Sequence, residues 1–223
     1  MAGFLVCEFK NGSTFDFGDS EFPGSLMAWN DGRVELENVG TYFGFVLEGT
    51  AELTCAQGNF SLRPGMYFSV PGEIRIEGEG RGFAVCRNRY RGFFSIGGPV
   101  EEKGRLNYID GCTDSLLIPP VKWGDPCLNL LHIPPETEQS RHTHPSIRVG
   151  VIVSGFGECV TPEKRYLLSP GTLFVIPAEA EHSFYTKDEA LRVIAWHPDS
   201  DFGPTDEVHP MVNRTILPGG MTS

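Results

Sequence analysis

The chain has 223 residues, an ordinary apolar content and a formal net charge of −11. That length buries a full core as one large domain or two small ones. The acidic balance, with no basic cluster, argues against binding nucleic-acid phosphates, and no apolar run reaches membrane-spanning length. Residues 1–8 carry no charged n-region and too short an apolar stretch for a secretion signal, so a cytoplasmic protein is expected. Glycine (27) and proline (17) then punctuate the chain every few residues. Between them lie short runs rich in Val, Ile, Phe and Tyr, first at 42–47 and 66–70. Residues 119–125 read as a connector, and further runs follow at 147–153, 173–176 and 191–196. Short strands at close spacing with turn signals predict an all-β sandwich or barrel. The polar, proline-spotted segment 197–218 reads as an ordered wrap that ends in a loose tail.

The six cysteines form no C-x-x-C pair, so they read as reduced, buried small hydrophobes rather than thiolate ligands.

One pattern occurs twice, 106 residues apart. At that offset Gly44 meets Gly150, Val46 meets Ile152, Gly49 meets Gly155, Leu62 meets Leu168, Phe68 meets Phe174 and Val70 meets Ile176. Pro64-Gly65 meets Pro170-Gly171, and Pro71 meets Pro177. Turn residues and apolar parity are kept together, which marks an internal repeat. Only the second copy carries His142, His144 and His182; the first has Leu36, Asn38 and Ile76 at those places. With Tyr42 these should leave the first interior packed, or open only to an apolar ligand.

The run His142-Thr-His144-Pro-Ser-Ile-Arg148, then Gly155, Pro170-Gly171, Pro177 and His182, resembles the two motifs of the cupin superfamily. Counting both copies, the chain resembles a bicupin. The resemblance implies two tandem cupin barrels (double-stranded β-helix, or jelly-roll): residues 1–110 without a metal site, and 111–223 with one. It also implies that His142, His144 and His182 bind one divalent transition metal: Fe, Zn, Ni, Cu or Mn. Two departures stand out. The glycine that opens the first motif is replaced around Pro135, and the motif's glutamate falls on Arg148.

If 142–148 is a strand, His142, His144 and Arg148 share parity and point to one face. Neutral imidazoles ligate Zn, Fe, Cu and Ni well, and three of them leave coordination positions open. The alternative is a decayed site whose histidines only hydrogen-bond one another. A buried Arg148 needs an anion. That anion is a substrate carboxylate or a local acid such as Glu138 or Glu158. Tyr185, with Phe184, is expected to line the pocket and touch substrate. His132, His197 and His209 are weaker candidates for any role.

The functional expectation is a metal-dependent oxidoreductase of the dioxygenase type acting on a small, anionic, carboxylate-bearing molecule. Alternatives are a zinc or nickel isomerase or lyase of a sugar or organic acid, and a non-catalytic ligand-binding or sensor module. A structural or storage role is disfavoured. No catalytic acid or base is identified, and a homodimer paired through sheet edges is expected.

Overall fold

The computed structural model describes residues 3–11, 14–205 and 207. The chain opens with β1 (Leu5–Cys7), β2 (Thr14–Asp16), β3 (Gly24–Leu36), β4 (Gly40–Gly49), β5 (Ala51–Cys55), β6 (Gly58–Leu62), β7 (Tyr67–Pro71), β8 (Ile74–Asn88) and β9 (Ser95–Gly97). It continues with β10 (Leu106–Asn107), a 3-10 turn at Ile109–Gly111, β11 (Thr113–Ile118), β12 (Cys127–Ile133), β13 (Arg148–Ser154), β14 (Gly157–Val160), β15 (Arg165–Leu168), β16 (Leu173–Ile176), β17 (Ser183–Tyr185) and β18 (Leu191–His197). The fold is all-β, of the jelly-roll kind. Among the described residues no helix is long and apolar enough to cross a membrane.

Strands β2, β3, β8, β4, β7 and β9 form one sheet, with β5 and β6 joined through β8. A second sheet runs β1-β16-β13-β18-β12-β11-β10, and a smaller one runs β15-β14-β17. The two large sheets pack face to face. Leu26, Phe43, Phe45, Phe83 and Val85 of one meet Leu128, Leu130, Val149, Val151, Ile194 and Trp196 of the other. The alternate residues of the same strands point away from this seam, into two further cores. Tyr42, Val46 and Phe68 fill the first with Trp29, Leu53 and Ile76. Ile152, Phe174 and Val193 build the second with Phe4, Leu168 and Phe184. Both faces of the central strands are therefore covered, which is why β4 is buried over its first eight residues.

The 106-residue repeat recurs in the hydrogen bonding. Gly65 N donates to Val46 O at 2.8 Å, and Val46 N to Met66 O at 2.9 Å. In the second copy Gly171 N donates to Ile152 O at 2.8 Å, and Ile152 N to Thr172 O at 2.9 Å. Gly49 and Gly155 both take positive φ, +67° and +84°. Each packs against a facing carbonyl where a side chain has no room, so glycine is required.

Two strands depart from a division at residues 110 and 111. β1 pairs with β16, Leu5 opposite Val175, so the start of the chain joins the later sheet. β10 pairs with β11 in that same sheet. Phe4 explains the first crossing: its ring stacks on Phe174 and lies against Tyr166. The first interior is apolar and packed, with Tyr42 and Ile76 in its core. Asn38 instead accepts a hydrogen bond from Arg91 Nη2 on the surface. His209 and most of the expected wrap at 197–218 lie outside the described residues.

Candidate metal centre

His142, His144 and His182 come together, each offering one ligand atom within 4.8 Å of the others. Ring centroids are 4.5 Å apart for His142 and His182, 4.9 Å for His142 and His144, and 5.2 Å for His144 and His182. The strand expected at 142–148 is not what assembles them. β13 begins only at Arg148, and residue 142 holds an isolated bridge to residue 182. His142 N donates to His182 O and His182 N to His142 O, both at 3.0 Å, which pins the two backbones side by side. His144 O accepts from Glu179 N at 2.8 Å and so fixes the third backbone.

The ring tautomers are set locally. His142 Nδ1 lies 2.8 Å from Ser140 O, and His182 Nδ1 lies 2.9 Å from Ala180 O. A carbonyl only accepts, so each Nδ1 carries the proton and Nε2 keeps its lone pair. That is the orientation by which histidines present a ligand nitrogen. Burial, then the Arg148 charge, pushes His144 down to about 3. Burial pushes His182 down to about 4. Imidazole nitrogens converging in this way are the donor set that a divalent transition metal takes, so the residues fit such an ion.

The cluster lines a cavity of about 370 Å³, within the range of small-molecule sites. Its wall is the inward row of the seven-stranded sheet: Asp114 and Leu116 of β11, Asn129 and Leu131 of β12, Val193, Ala195 and His197 of β18, Arg148 of β13, and Phe174 and Ile176 of β16. Phe184, whose ring stands edge-on to His182, closes the opposite side. Tyr185 does not line it. The next residue along β17 points to the other face, where the Arg165 guanidinium lies 5.7 Å from the Tyr185 ring. The expectation for Tyr185 is corrected accordingly.

Arg148 does face the cavity, but its anion comes from within the fold. Nη1 lies 3.3 Å from Asp199 Oδ1 and also donates to Ser146 O at 3.2 Å and Ile147 O at 3.1 Å. Neither acid expected from sequence serves. Glu158 accepts from Arg165 Nη1 at 2.6 Å, and residue 138 bridges to residue 185.

Several residues were missed. Asp114 lies in the wall, and Asn129 Nδ2 reaches its two oxygens at 3.1 and 3.2 Å. Burial, only partly opposed by that amide, pushes its carboxyl up to about 6. Asn129 was readable as the one amide inside an apolar strand, Cys127-Leu-Asn-Leu-Leu131. His197 lies 6.5 Å from His144, and burial drives it well below the usual histidine range, so it stays neutral. His132 has the opposite parity to Asn129 and does not line the cavity. All six cysteines are free; Cys127 lines the cavity, with burial pushing its thiol up to about 12, so it stays protonated.

Residues 129–197 match the model of the cupin domain. A cupin 2 conserved barrel domain protein from Leptotrichia buccalis has a similar structure, at 14% identity and a TM-score of 0.62. The alignment covers 86% of this chain and 92% of that one. AerE from Microcystis aeruginosa is similar at 14% identity and a TM-score of 0.58, covering 86% and 90%. A salicylate 1,2-dioxygenase from Pseudaminobacter salicylatoxidans is similar at 11% identity and a TM-score of 0.59, covering 79% and 70%. No curated protein matches. At such identities the structural likeness is one of fold, and it agrees with the domain match: residues 129–197, which carry His142, His144 and His182, form a cupin domain.

Proposed function

We propose that the chain is a bicupin whose second barrel is a mononuclear metal site acting on a small, anionic organic molecule, with dioxygenase-type oxidation as the reaction. One observation carries this reading: three imidazoles, two with Nδ1 tied to carbonyls, converge on a largely apolar cavity. The repeated turn hydrogen bonds support two barrels, with the junction between β9 and β10. A divalent metal on His142, His144 and His182 would supply Lewis acidity and, as iron or copper, oxygen chemistry. The rest belongs to the chain. The neutral ligand set leaves the charge of a bound dication uncompensated, which favours a carboxylate-bearing substrate. The apolar part of the wall packs on the hydrocarbon of the substrate, and Asp199 holds Arg148 in its place in that wall. The salicylate dioxygenase of like fold has been solved with gentisate, a hydroxylated aromatic acid of a size this cavity accepts.

A second reading, a zinc or nickel isomerase or lyase, is favoured by Asp114, a carboxyl with a pKa near neutrality placed to take and return a proton. Metal analysis of anaerobically purified protein, followed by oxygen uptake with gentisate, separates the two. Iron or copper with substrate-dependent oxygen uptake supports the first. Zinc or nickel without uptake supports the second. Absence of stoichiometric metal leaves a ligand-binding module. The chain is further proposed to pair as a homodimer, which light scattering tests.

A further inference from the structure

The polar groups on the sheet wall of the cavity are unbalanced. Asp114 offers two carboxylate oxygens, and its hydrogen bonds come from a single group, Asn129 Nδ2. Asn129 Oδ1 is itself buried and has no partner. A carboxylate has about four acceptor positions and an amide oxygen two, so acceptors here outnumber donors. The strand neighbours cannot repair this. Across the sheet Asp114 faces Leu106 and Leu131, and Asn129 faces Leu116 and Ala195. Each of these brings only hydrocarbon. Next along the row stands Gly150, over which the Phe174 ring lies, while Ala195 beside the amide lines the cavity.

Buried polar atoms are paired in folded proteins, and an orphan acceptor facing a cavity calls for a donor from the occupant. We propose that Asp114 and Asn129 form a second recognition point, which binds a hydroxyl group of the substrate. The donor is a neutral hydroxyl rather than an ammonium, because a bound metal would place two positive charges in this cavity. This rests on the reading above, with the carboxylate at the histidine end and the hydroxyl at the Asp114 end. The span between them is apolar, lined by Leu116, Leu131, Phe174 and Val193. The substrate class is thus a hydroxylated aromatic or cyclic carboxylic acid.

The test uses the full chain with its metal as purified, and calorimetry with benzoate, 3- and 4-hydroxybenzoate and 3-(aminomethyl)benzoate. One hydroxybenzoate should bind about tenfold more tightly than benzoate, the effect of one hydrogen bond to a charged group. Asp114→Leu, close to isosteric, should lower the ratio of hydroxybenzoate to benzoate affinity toward one. Asp114→Asn keeps one acceptor oxygen and should retain part of it. Equal binding of benzoate and both hydroxybenzoates would overturn the proposal, since water would then satisfy the acceptors. Preference for the aminomethyl compound would overturn it too, as would Asp114→Leu weakening all ligands alike. If stoichiometric metal is bound and no benzoate binds, the recognition point falls and the metal site stands. If no metal is bound, the reading beneath it falls instead.

Discussion

Arg148 Nη1 and Asp199 Oδ1 stand 3.3 Å apart with 11% and 20% of their side chains exposed, so each charge is held out of water by the fold and balanced by the other. This pair answers the question that an arginine in place of a cupin glutamate poses. Removing one partner of a buried pair leaves an uncompensated charge and costs about 3–5 kcal/mol. Asp199→Asn should therefore lower unfolding free energy by about 3 kcal/mol. Combining it with Arg148→Gln should restore most of that loss. Urea denaturation of the two single variants and the double variant gives the coupling. Strict additivity would show that the pair does not form in solution.

The two copies offer an internal control for the metal site. His144 corresponds to Asn38 at the 106-residue offset, and Asn38 accepts from Arg91 at the surface instead of facing a cavity. His144→Ala should abolish stoichiometric metal, measured by elemental analysis of the purified chain. Asn38→Ala should leave it intact. Full metal occupancy in His144→Ala would move the ligands elsewhere.

The fold and the histidine cluster were legible because they rest on local signals. Gly49, Gly155 and the two Pro-Gly turns announce the strand ends, and three histidines stand at recognisable spacings. What escaped depends on contacts distant in sequence. Asp199 lies 51 residues from Arg148 and reaches it only once β18 has returned alongside β13. Asp114 and Asn129 meet through the β11–β12 register, which no pattern within either strand encodes. Tyr185 was misplaced because two adjacent aromatics on a strand face opposite ways, and choosing between them needs the neighbouring sheet. β1 joined the later sheet because of Phe4 and its stack on Phe174, a contact across most of the chain.

The repeat also predicts paired packing defects. A Cβ on Gly44 would lie 2.1 Å from Phe68 Cζ, and one on Gly150 would lie 2.4 Å from Phe174 Cζ. Both alanine variants must displace a buried ring, an overpacking cost of about 1–3 kcal/mol. Their consequences should differ. Phe68 sits in a filled core, whereas Phe174 lines the cavity and has space to move into. Gly44→Ala should lower the melting temperature more than Gly150→Ala. Gly150→Ala should instead weaken benzoate binding, because the ring would enter the cavity. Equal melting temperatures with unchanged binding would contradict this.

Asp114 makes stability depend on pH in a direction opposite to that of an ordinary paired carboxylate. Burial raises its folded-state pKa from 3.8 to about 6, so the fold favours the protonated form. Below about pH 4 the group is protonated in both states, and its contribution is fully present. As pH rises through about 6 the folded protein must hold a buried carboxylate that the unfolded chain holds in water, and the contribution is lost. Two pKa units correspond to roughly 3 kcal/mol, an upper figure because the cavity admits solvent. Asp114→Asn removes the titration and preserves the volume. At pH 8 the variant should be more stable than the parent by about 1–3 kcal/mol. That advantage should shrink on acidification and vanish near pH 4. Chemical denaturation at closely spaced pH values measures the difference. A gap independent of pH, or a variant less stable at pH 8, would show that Asp114 ionises in the fold as freely as in water.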